Sequence, residues 1–178
     1  NNGVTFTSAR ADSGKEFVAS TDTWFRPTNM INAPDGTLHI LDMYREFIEH
    51  PWSLPDDIHA QLDLTSGRDR GRIYRLAPPN FEPPEPPQLG TASTEHLVSL
   101  LEHESSWWRT TAHRLIYERQ DQSAVPLLRE MLQTSDKSFG RIRALWSLEG
   151  LSALQTQDII DGLNDSSPAV RHNAARIA

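Results

Sequence analysis

The sequence predicts an α+β protein in two domains, a small antiparallel β-domain followed by an α-helical domain. Six of the twelve prolines fall within residues 78–87. Prolines remove backbone donors and favour an extended polyproline conformation, so this stretch is predicted to be a semi-rigid linker. Strand and turn signals precede the linker, and helical patterns recur after it. We therefore expect a β-domain over residues 1–77, a linker over residues 78–90 and a helical domain over residues 91–178.

Two strands of the first domain have clear signals. Gly36–Asp42 follows Ala33–Gly36, whose Ala-Pro-Asp-Gly sequence is typical of a turn, and Arg72–Leu76 is a second short apolar strand. Phe17–Ser20 and Val4–Thr7 are further strand candidates. The order of short strands and turns is that of an antiparallel sheet such as a blade of a β-propeller. The first domain is thus predicted to be an incomplete propeller blade fragment.

A loop of nearly thirty residues, Met43 to Gly71, separates the two clear strands. Loops of this length are uncommon in compact domains and are usually functional. Within it, we expect a helical turn over Tyr44–Ile48.

The second domain repeats with a period of 31 residues. Leu101, Leu132 and Leu163 each close an apolar helical pattern, and an Arg-x-x-Ala motif follows each leucine eight or nine residues later. Three copies of this two-element spacing predict helix pairs stacked as a solenoid. The motifs are Arg109/Ala112, Arg141/Ala144 and Arg171/Ala174.

Each repeated position has a physical interpretation. The small alanine would let the second helix of a pair approach its neighbour closely, and the arginine would reach carboxylates or turn carbonyls of the adjacent repeat. The alternative is an arginine ladder that lines a concave ligand groove. Residues 164–171 are similar to the turn and second-helix start of HEAT repeats, although HEAT repeats usually have about 40 residues. We expect about three HEAT-like repeats, the last one truncated.

Composition excludes several classes of function. The 17 basic and 24 acidic residues give a net charge of −7, the wrong sign for a general nucleic-acid binder. The absence of cysteine excludes disulfides, zinc–thiolate sites, c-type haem attachment and thiol nucleophiles within these residues. No apolar run approaches the roughly 18 residues of a membrane span, and no secretory signal is visible.

The residues around the long loop are the candidates for chemistry. Asp42 ends an apolar strand, where a carboxylate is either a helix N-cap or structural ion-pair partner, or a ligand and charge partner at a pocket rim. Arg45 could pair with it in either case. His50 is the best available general base because its unperturbed pKa is near neutrality, although a histidine beside proline is more often a loop hydrogen-bonder. Arg68 and Arg70 could clamp an anion or belong to an internally paired charged turn. No known metal-binding signature is present, and metal ligands stay unassigned.

Five segments carry a family resemblance in their order along the chain: Phe25–Met30, Ala33–Leu38, Asp42–Arg45, Ile48–Pro51 and Gly67–Arg75. This order resembles the end of the β-propeller in the membrane-bound dehydrogenases of planctomycetes and their relatives. Those proteins are similar to soluble glucose/sorbosone dehydrogenases. In that family the propeller is followed by HEAT-like repeats and then by a cytochrome c domain with a Cys-x-x-Cys-His motif. The resemblance covers residues 21–178.

The resemblance implies a periplasmic or otherwise extracytoplasmic protein that oxidises a sugar or alcohol with pyrroloquinoline quinone and calcium. Electrons would pass to a cytochrome c-type domain or partner docked on the HEAT-like repeats. We expect Asp42, Arg45, His50 and Arg68 to face the top of the propeller. His50 is the candidate catalytic base, and Asp42, Arg45, Arg68 and Arg70 are the candidate cofactor-binding residues.

The length of the first domain and the truncated last repeat predict that the chain is a fragment. A propeller needs four or more blades, and the 77 residues before the linker supply fewer than two at roughly 40–50 residues each. We therefore expect this chain alone to be inactive, and without a Cys-x-x-Cys-His motif it binds no c-type haem. The alternative is a non-catalytic scaffold in which the HEAT-like solenoid binds a protein or a glycan.

Overall fold

The computed structural model describes residues 5–178 of the chain. They divide into two compact units, a sheet unit of Arg10–Pro84 and a helical unit of Glu85–Ala178. The described residues before Arg10 are grouped with the helical unit. The division lies within residues 78–90, the predicted linker. The described residues form three strands and seven α-helices, which confirms the α+β class.

The sheet unit contains a three-stranded antiparallel sheet. Strands β1 (Pro27–Asn32), β2 (Leu38–Asp42) and β3 (Arg72–Leu76) lie in the order β1-β2-β3, with β2 in the centre. Strands β2 and β3 confirm the two clear sequence predictions, although β2 begins two residues later than expected. The sequence analysis did not identify β1, whose six residues are all exposed and include one proline and two asparagines. Such residues have low strand propensity, so β1 depends on its pairing with β2.

The two weaker strand predictions are not confirmed as strands. The prediction of a strand over Phe17–Ser20 is wrong, because those residues adopt no regular structure. Of the candidate Val4–Thr7, Val4 lies outside the described residues, Thr5 forms a single β-bridge and the next two residues form no strand.

The turn before β2 forms as predicted. The Gly36 amide donates to the Ala33 carbonyl at 3.1 Å, and the Ala33 amide donates to the Thr37 carbonyl at 2.9 Å. The Asp35 carboxylate accepts from the Thr37 amide and hydroxyl at 3.0 and 2.6 Å. Gly36 has φ of 83°, a left-handed conformation that glycine adopts without steric cost. These contacts join β1 to β2 in the observed register.

The long loop between β2 and β3 contains a 3-10 turn, Pro51–Ser53, and the short helix α1, Asp56–His59. The predicted helical turn over Tyr44–Ile48 is wrong. Tyr44 has φ of 52°, which a right-handed helix excludes. Its amide instead donates to the carboxylate of Asp42 at 2.9 Å.

Few side chains of the sheet unit are buried. Ile40 in β2 is fully buried and pairs with Met30 of β1 and Tyr74 of β3. The alternation of side chains along a strand places these three on one face. Ile31 and Ile73 lie on the opposite face and are 54% and 66% exposed. The sheet therefore leaves large apolar side chains in contact with solvent.

The helical unit consists of three consecutive helix–turn–helix pairs. The first helices of the pairs contact one another, and so do the second helices, so the unit has two layers. In chain order the helices are α2 (Thr94–Ser99), α3 (Ser106–Arg119), α4 (Ala124–Thr134), α5 (Ser138–Gly150), α6 (Thr156–Leu163) and α7 (Pro168–Ile177). A 3-10 turn, Leu100–Glu102, extends α2.

The repeated alanines lie in the core between the layers. Ala112, Ala144 and Ala174 are fully buried within one continuous hydrophobic cluster. A Cβ added to Gly162 of α6 would lie 2.8 Å from the Cβ of Ala174 in α7. The helices of the last pair are therefore close enough that both contact positions must be small.

The repeated arginines bind turn carbonyls, as predicted, but these carbonyls belong to the turn of their own helix pair and not to that of the adjacent repeat. Each is the fourth residue of its helix, where a side chain points back toward the helix N-terminus and the turn carbonyls. Arg109 donates to the His103 and Glu104 carbonyls at 2.6 and 2.7 Å. The equivalent acceptors are the Ser135 carbonyl for Arg141 and the Asp165 and Ser166 carbonyls for Arg171.

Arg141 also contacts the adjacent pair. Its Nε and Nη2 donate to the two carboxylate oxygens of Asp165 at 2.7 and 2.8 Å. Both side chains are about nine-tenths buried. The hydrogen bonds from Arg141 lower the pKa of Asp165, and a hydrogen bond from the Ser167 amide adds to the effect.

Within residues 5–178, no helix combines the length and the apolar character needed to cross a membrane.

Candidate functional site

The end of β2 organises the candidate site around the carboxylate of Asp42. This side chain is buried, and its Oδ1 accepts hydrogen bonds from the Arg26 amide at 2.8 Å and the Tyr44 amide at 2.9 Å. Its Oδ2 is buried without a hydrogen-bond donor among the described residues. Asp42 therefore holds β1 and the start of the long loop together, a structural role of the kind that the sequence left open.

The cation beside Asp42 is Arg72, not Arg45. Arg72 is the register partner of Asp42 in β3, and its Nε lies 4.0 Å from Oδ2 of Asp42. The Arg72 guanidinium also lies 3.7 Å from the centroid of the Tyr44 ring, a cation–π contact. The sequence analysis missed this partner because Asp42 and Arg72 are thirty residues apart and only the strand register places them opposite each other.

Tyr44 links this cluster to the segment before β1. Its hydroxyl donates to Oδ2 of Asp22 at 2.9 Å, and the Trp24 amide donates to Oδ1 of Asp22 at 3.0 Å. The Trp24 and Tyr44 hydrogen bonds lower the pKa of Asp22. Donation to Asp22 raises the pKa of the Tyr44 hydroxyl. Near neutral pH this pair is therefore a carboxylate and a protonated phenol.

Arg45 connects the two ends of the long loop through hydrogen bonds. Its Nη1 donates to the Gly67 carbonyl at 2.6 Å and to the Met43 and Tyr44 carbonyls at 3.1 and 3.2 Å. Gly67 has φ of 83°, and a Cβ at this position would lie 2.4 Å from the Tyr44 carbonyl oxygen. A larger residue fits here only if the backbone shifts, and the close contact fixes where the arginine-rich segment after Gly67 begins.

Arg68 and Arg70 are exposed, and in the part of the chain that the structure describes neither side chain has a hydrogen bond or salt bridge. The pKa of Asp63 is lowered chiefly by hydrogen bonds from Thr65, with a smaller contribution from the charge of Arg68. Both guanidinium groups are thus available to an anion from solvent.

His50 lies in the exposed middle of the loop, and its contacts do not include the Asp42 cluster. Its Nδ1 accepts from the Trp52 amide at 3.2 Å and caps the 3-10 turn. The ring packs edge-to-face on Trp52, with centroids 5.6 Å apart. Because Nδ1 accepts a hydrogen bond, a neutral imidazole carries its proton on Nε2. Nε2 of the neutral ring is then a donor.

The structure thus brings together Asp42, Arg45 and the start of the Arg68–Arg70 segment, and it adds Tyr44, Asp22 and Arg72, which were not among the predicted site residues. Among residues 5–178, no three histidine, aspartate or glutamate side chains come together in a group that could hold a metal ion.

These features define an α+β protein of two units. The sheet unit carries an arginine-bearing loop whose ends are joined by hydrogen bonds, and the helical unit is built from repeated helix pairs. Residues 1–80 match a family described as a domain of unknown function, DUF7133. The match ends within the sheet unit and covers less than half of the chain. Neither a curated protein nor a solved structure matches the chain.

Proposed function

We propose that this chain is part of a quinoprotein-type sugar or alcohol dehydrogenase-like protein outside the cytoplasm. In this proposal, residues 10–84 contribute a blade to a β-propeller. Residues 85–178 form a HEAT-like scaffold that docks a cytochrome c-type domain or partner. The observation that carries the proposal is the incomplete coverage of the sheet.

Both faces of the sheet bear exposed apolar side chains. Met30 is half exposed on the face of Ile40, and Ile31 and Ile73 are more exposed on the other face. Within the described residues, β1 and β3 each form a ladder with β2, which is the central strand. An isolated sheet with exposed apolar faces tends to associate. In a propeller, neighbouring blades cover both faces, which would account for this pattern.

The arginine-bearing loop suits part of the expected cofactor site. Pyrroloquinoline quinone has several carboxylates, and the unpaired guanidinium groups of Arg68 and Arg70 match such groups. Asp42 does not fit an anionic ligand, because its unpartnered oxygen is itself negative. Nη1 of Arg45 is already engaged with three carbonyls. We therefore assign the proposed contact to Arg68 and Arg70, with Asp42 and Arg45 as the residues that position their segment.

The quinone, when bound, would supply the hydride acceptor, and a base would take the proton of the substrate hydroxyl. His50 stays the candidate for that base. To act through Nε2, it must carry its proton on Nδ1 and give up the hydrogen bond from Trp52. Calcium also stays part of the proposal, with no ligand set assigned.

The test uses the natural protein in its full reading frame and measures quinone affinity by titration calorimetry. Arg68→Gln with Arg70→Gln should weaken quinone binding by about tenfold or more, since charged hydrogen bonds are lost. The matched control, Arg114→Gln with Arg176→Gln, removes two exposed arginines of the helical unit and should leave affinity unchanged. An equal effect of both pairs, or no quinone binding by the natural protein, would refute the cofactor assignment.

A second candidate function is a non-catalytic scaffold that binds a protein or glycan. The helical unit supports this candidate, because one continuous hydrophobic core joins its helix pairs. One measurement distinguishes the two candidate functions: quinone-dependent reduction of an electron-acceptor dye by the natural protein. His50→Ala should abolish that reduction if His50 is the base. A natural protein that binds partners but reduces no dye would be a scaffold.

A further inference from the structure

A groove of about 500 Å³ lies along the first-helix layer of the helical unit. Its floor is built from α2 and α4 and contains the apolar side chains Val98, Leu127 and Met131. Its rim carries four carboxylates: Glu95, Glu102, Glu130 and Asp136. The groove thus combines an apolar floor with an acidic rim.

The negative charge of the rim is only partly compensated. Lys137 is the one basic residue that lines the groove, and its ammonium binds the Glu104 carboxylate at 2.5 Å and the Glu102 carbonyl at 3.1 Å. In the described part of the chain, none of the four rim carboxylates forms a salt bridge. A cationic partner would therefore meet carboxylates that have no competing ion pair.

The acidic surface continues past the end of α4. A second groove of about 590 Å³ shares Thr134, Ser135 and Asp136 with the first and extends to Asp161 of α6. The arginine that lines it, Arg141, is bound to Asp165. The two grooves therefore form one surface that crosses the first helices of all three pairs.

We infer that this surface binds an amphipathic basic helix of a partner protein. The apolar side of that helix would lie on Leu127 and Met131, and its lysines or arginines would meet Glu95 and Glu130. Helix-in-groove recognition uses apolar contacts for affinity, and complementary charge sets orientation and association rate. The sign of the rim disfavours nucleic acid and anionic lipid surfaces as occupants. The inference rests on the scaffold part of the proposed function and not on its oxidation chemistry.

The test titrates the 178-residue chain into a fluorescent peptide of about four helical turns with leucine on one face and lysine on the other. A matched peptide carries glutamate in place of lysine. We expect the lysine peptide alone to bind, with an affinity that falls as salt rises. Equal binding of the two peptides, or binding of neither, would overturn the inference.

Paired variants then locate the binding surface. Glu95→Gln with Glu130→Gln should weaken lysine-peptide binding by about tenfold, whereas the control Glu118→Gln with Glu149→Gln should leave it unchanged. Met131→Lys should also weaken binding, and Ile160→Lys, at an exposed apolar site outside both grooves, should not. Circular dichroism verifies that each variant is folded. Equal losses for the groove and control variants would show non-specific charge attraction and overturn the inference.

A failure of this inference can be distinguished from a failure of the dehydrogenase proposal. A soluble dye accepts electrons without the docked domain, so Glu95→Gln with Glu130→Gln should not change dye reduction by the natural protein. Groove-dependent peptide binding without quinone binding would support this inference and the scaffold alternative. Quinone-dependent dye reduction without groove-dependent peptide binding would support the dehydrogenase proposal and overturn this inference.

Discussion

The two units of the chain are stabilised in different ways. The helical unit has a continuous core of sixteen buried apolar residues that extends through all three helix pairs. In the sheet unit only Ala33 and Ile40 are buried apolar residues among those described. Its structure depends on hydrogen bonds around Asp42, Tyr44 and Arg45. Because apolar burial is the main favourable term in folding, the helical unit has the larger internal source of stability.

The two units also differ in an aspartate that faces an arginine, Asp42 in the sheet unit and Asp165 in the helical unit. Asp165 forms two short hydrogen bonds with Arg141. Asp42 lies 4.0 Å from Arg72, and its Oδ2 accepts no hydrogen bond from a described residue. The first pair joins two helix pairs directly, whereas Asp42 acts mainly through the two backbone amides that it caps. Three comparisons of variants test these contrasts.

The largest expected effect concerns two leucines at equivalent positions of the 31-residue repeat. Leu132 is 5% exposed and Leu163 is 41% exposed. Leu132→Ala should lower the free energy of unfolding by about 3 kcal/mol, because it leaves a cavity in the core. Leu163→Ala should cost about 1 kcal/mol or less. Urea unfolding followed by far-UV circular dichroism measures both, and equal costs would contradict the observed core.

The second effect concerns the ion pair between helix pairs. Asp165→Asn should destabilise the helical unit by about 2–3 kcal/mol near neutral pH, because it leaves the Arg141 charge poorly compensated. Asp42→Asn should cost less, because the amide oxygen of asparagine can still accept from both backbone amides. Unfolding in urea, followed by hydrogen exchange of peptides from each unit, separates the two effects. A larger loss of unfolding free energy for Asp42→Asn than for Asp165→Asn would contradict this prediction.

The Asp165 effect should depend on pH with a defined sign. Its pKa is lowered in the folded chain, so the ion pair stabilises the fold above the pKa of the unfolded chain and is lost as pH falls through the lowered folded value. The difference between wild type and Asp165→Asn should therefore shrink below about pH 4. A difference that grew on acidification would contradict the assignment of the shift to Arg141.

The smallest effect compares two glycines of the sheet unit with the same φ of 83°. Gly36→Ala should cost about 1 kcal/mol, because alanine is strained in this conformation and nothing lies within 4 Å of the added Cβ. Gly67→Ala should cost about 2 kcal/mol, because its Cβ would also contact the Tyr44 carbonyl. Hydrogen exchange in residues 38–46 measures the difference. Equal costs would show that the Tyr44 carbonyl does not restrict the side chain at position 67.

Local patterns predicted most of the elements. The 31-residue spacing located the helix pairs and their buried alanines, because helical burial repeats within short stretches of chain. The strands β2 and β3 were predicted from apolar residues beside turn signals. The pattern did not predict β1, because its polar residues adopt strand geometry only beside β2. It also did not predict that the repeated arginines bind carbonyls of their own turn, since spacing alone does not give the direction of a side chain.

The sequence by itself therefore determined the fold class, the helix pairs and two of the three strands, since these follow from periodic burial and local turn chemistry. Only the tertiary structure decided that Asp42 faces Arg72, that Arg45 holds Gly67 and that Leu132 is buried while Leu163 is not. Each of these depends on which distant segments meet and in which register. Hydrophobic periodicity specifies the face that an element buries, but it does not specify the residue that covers that face.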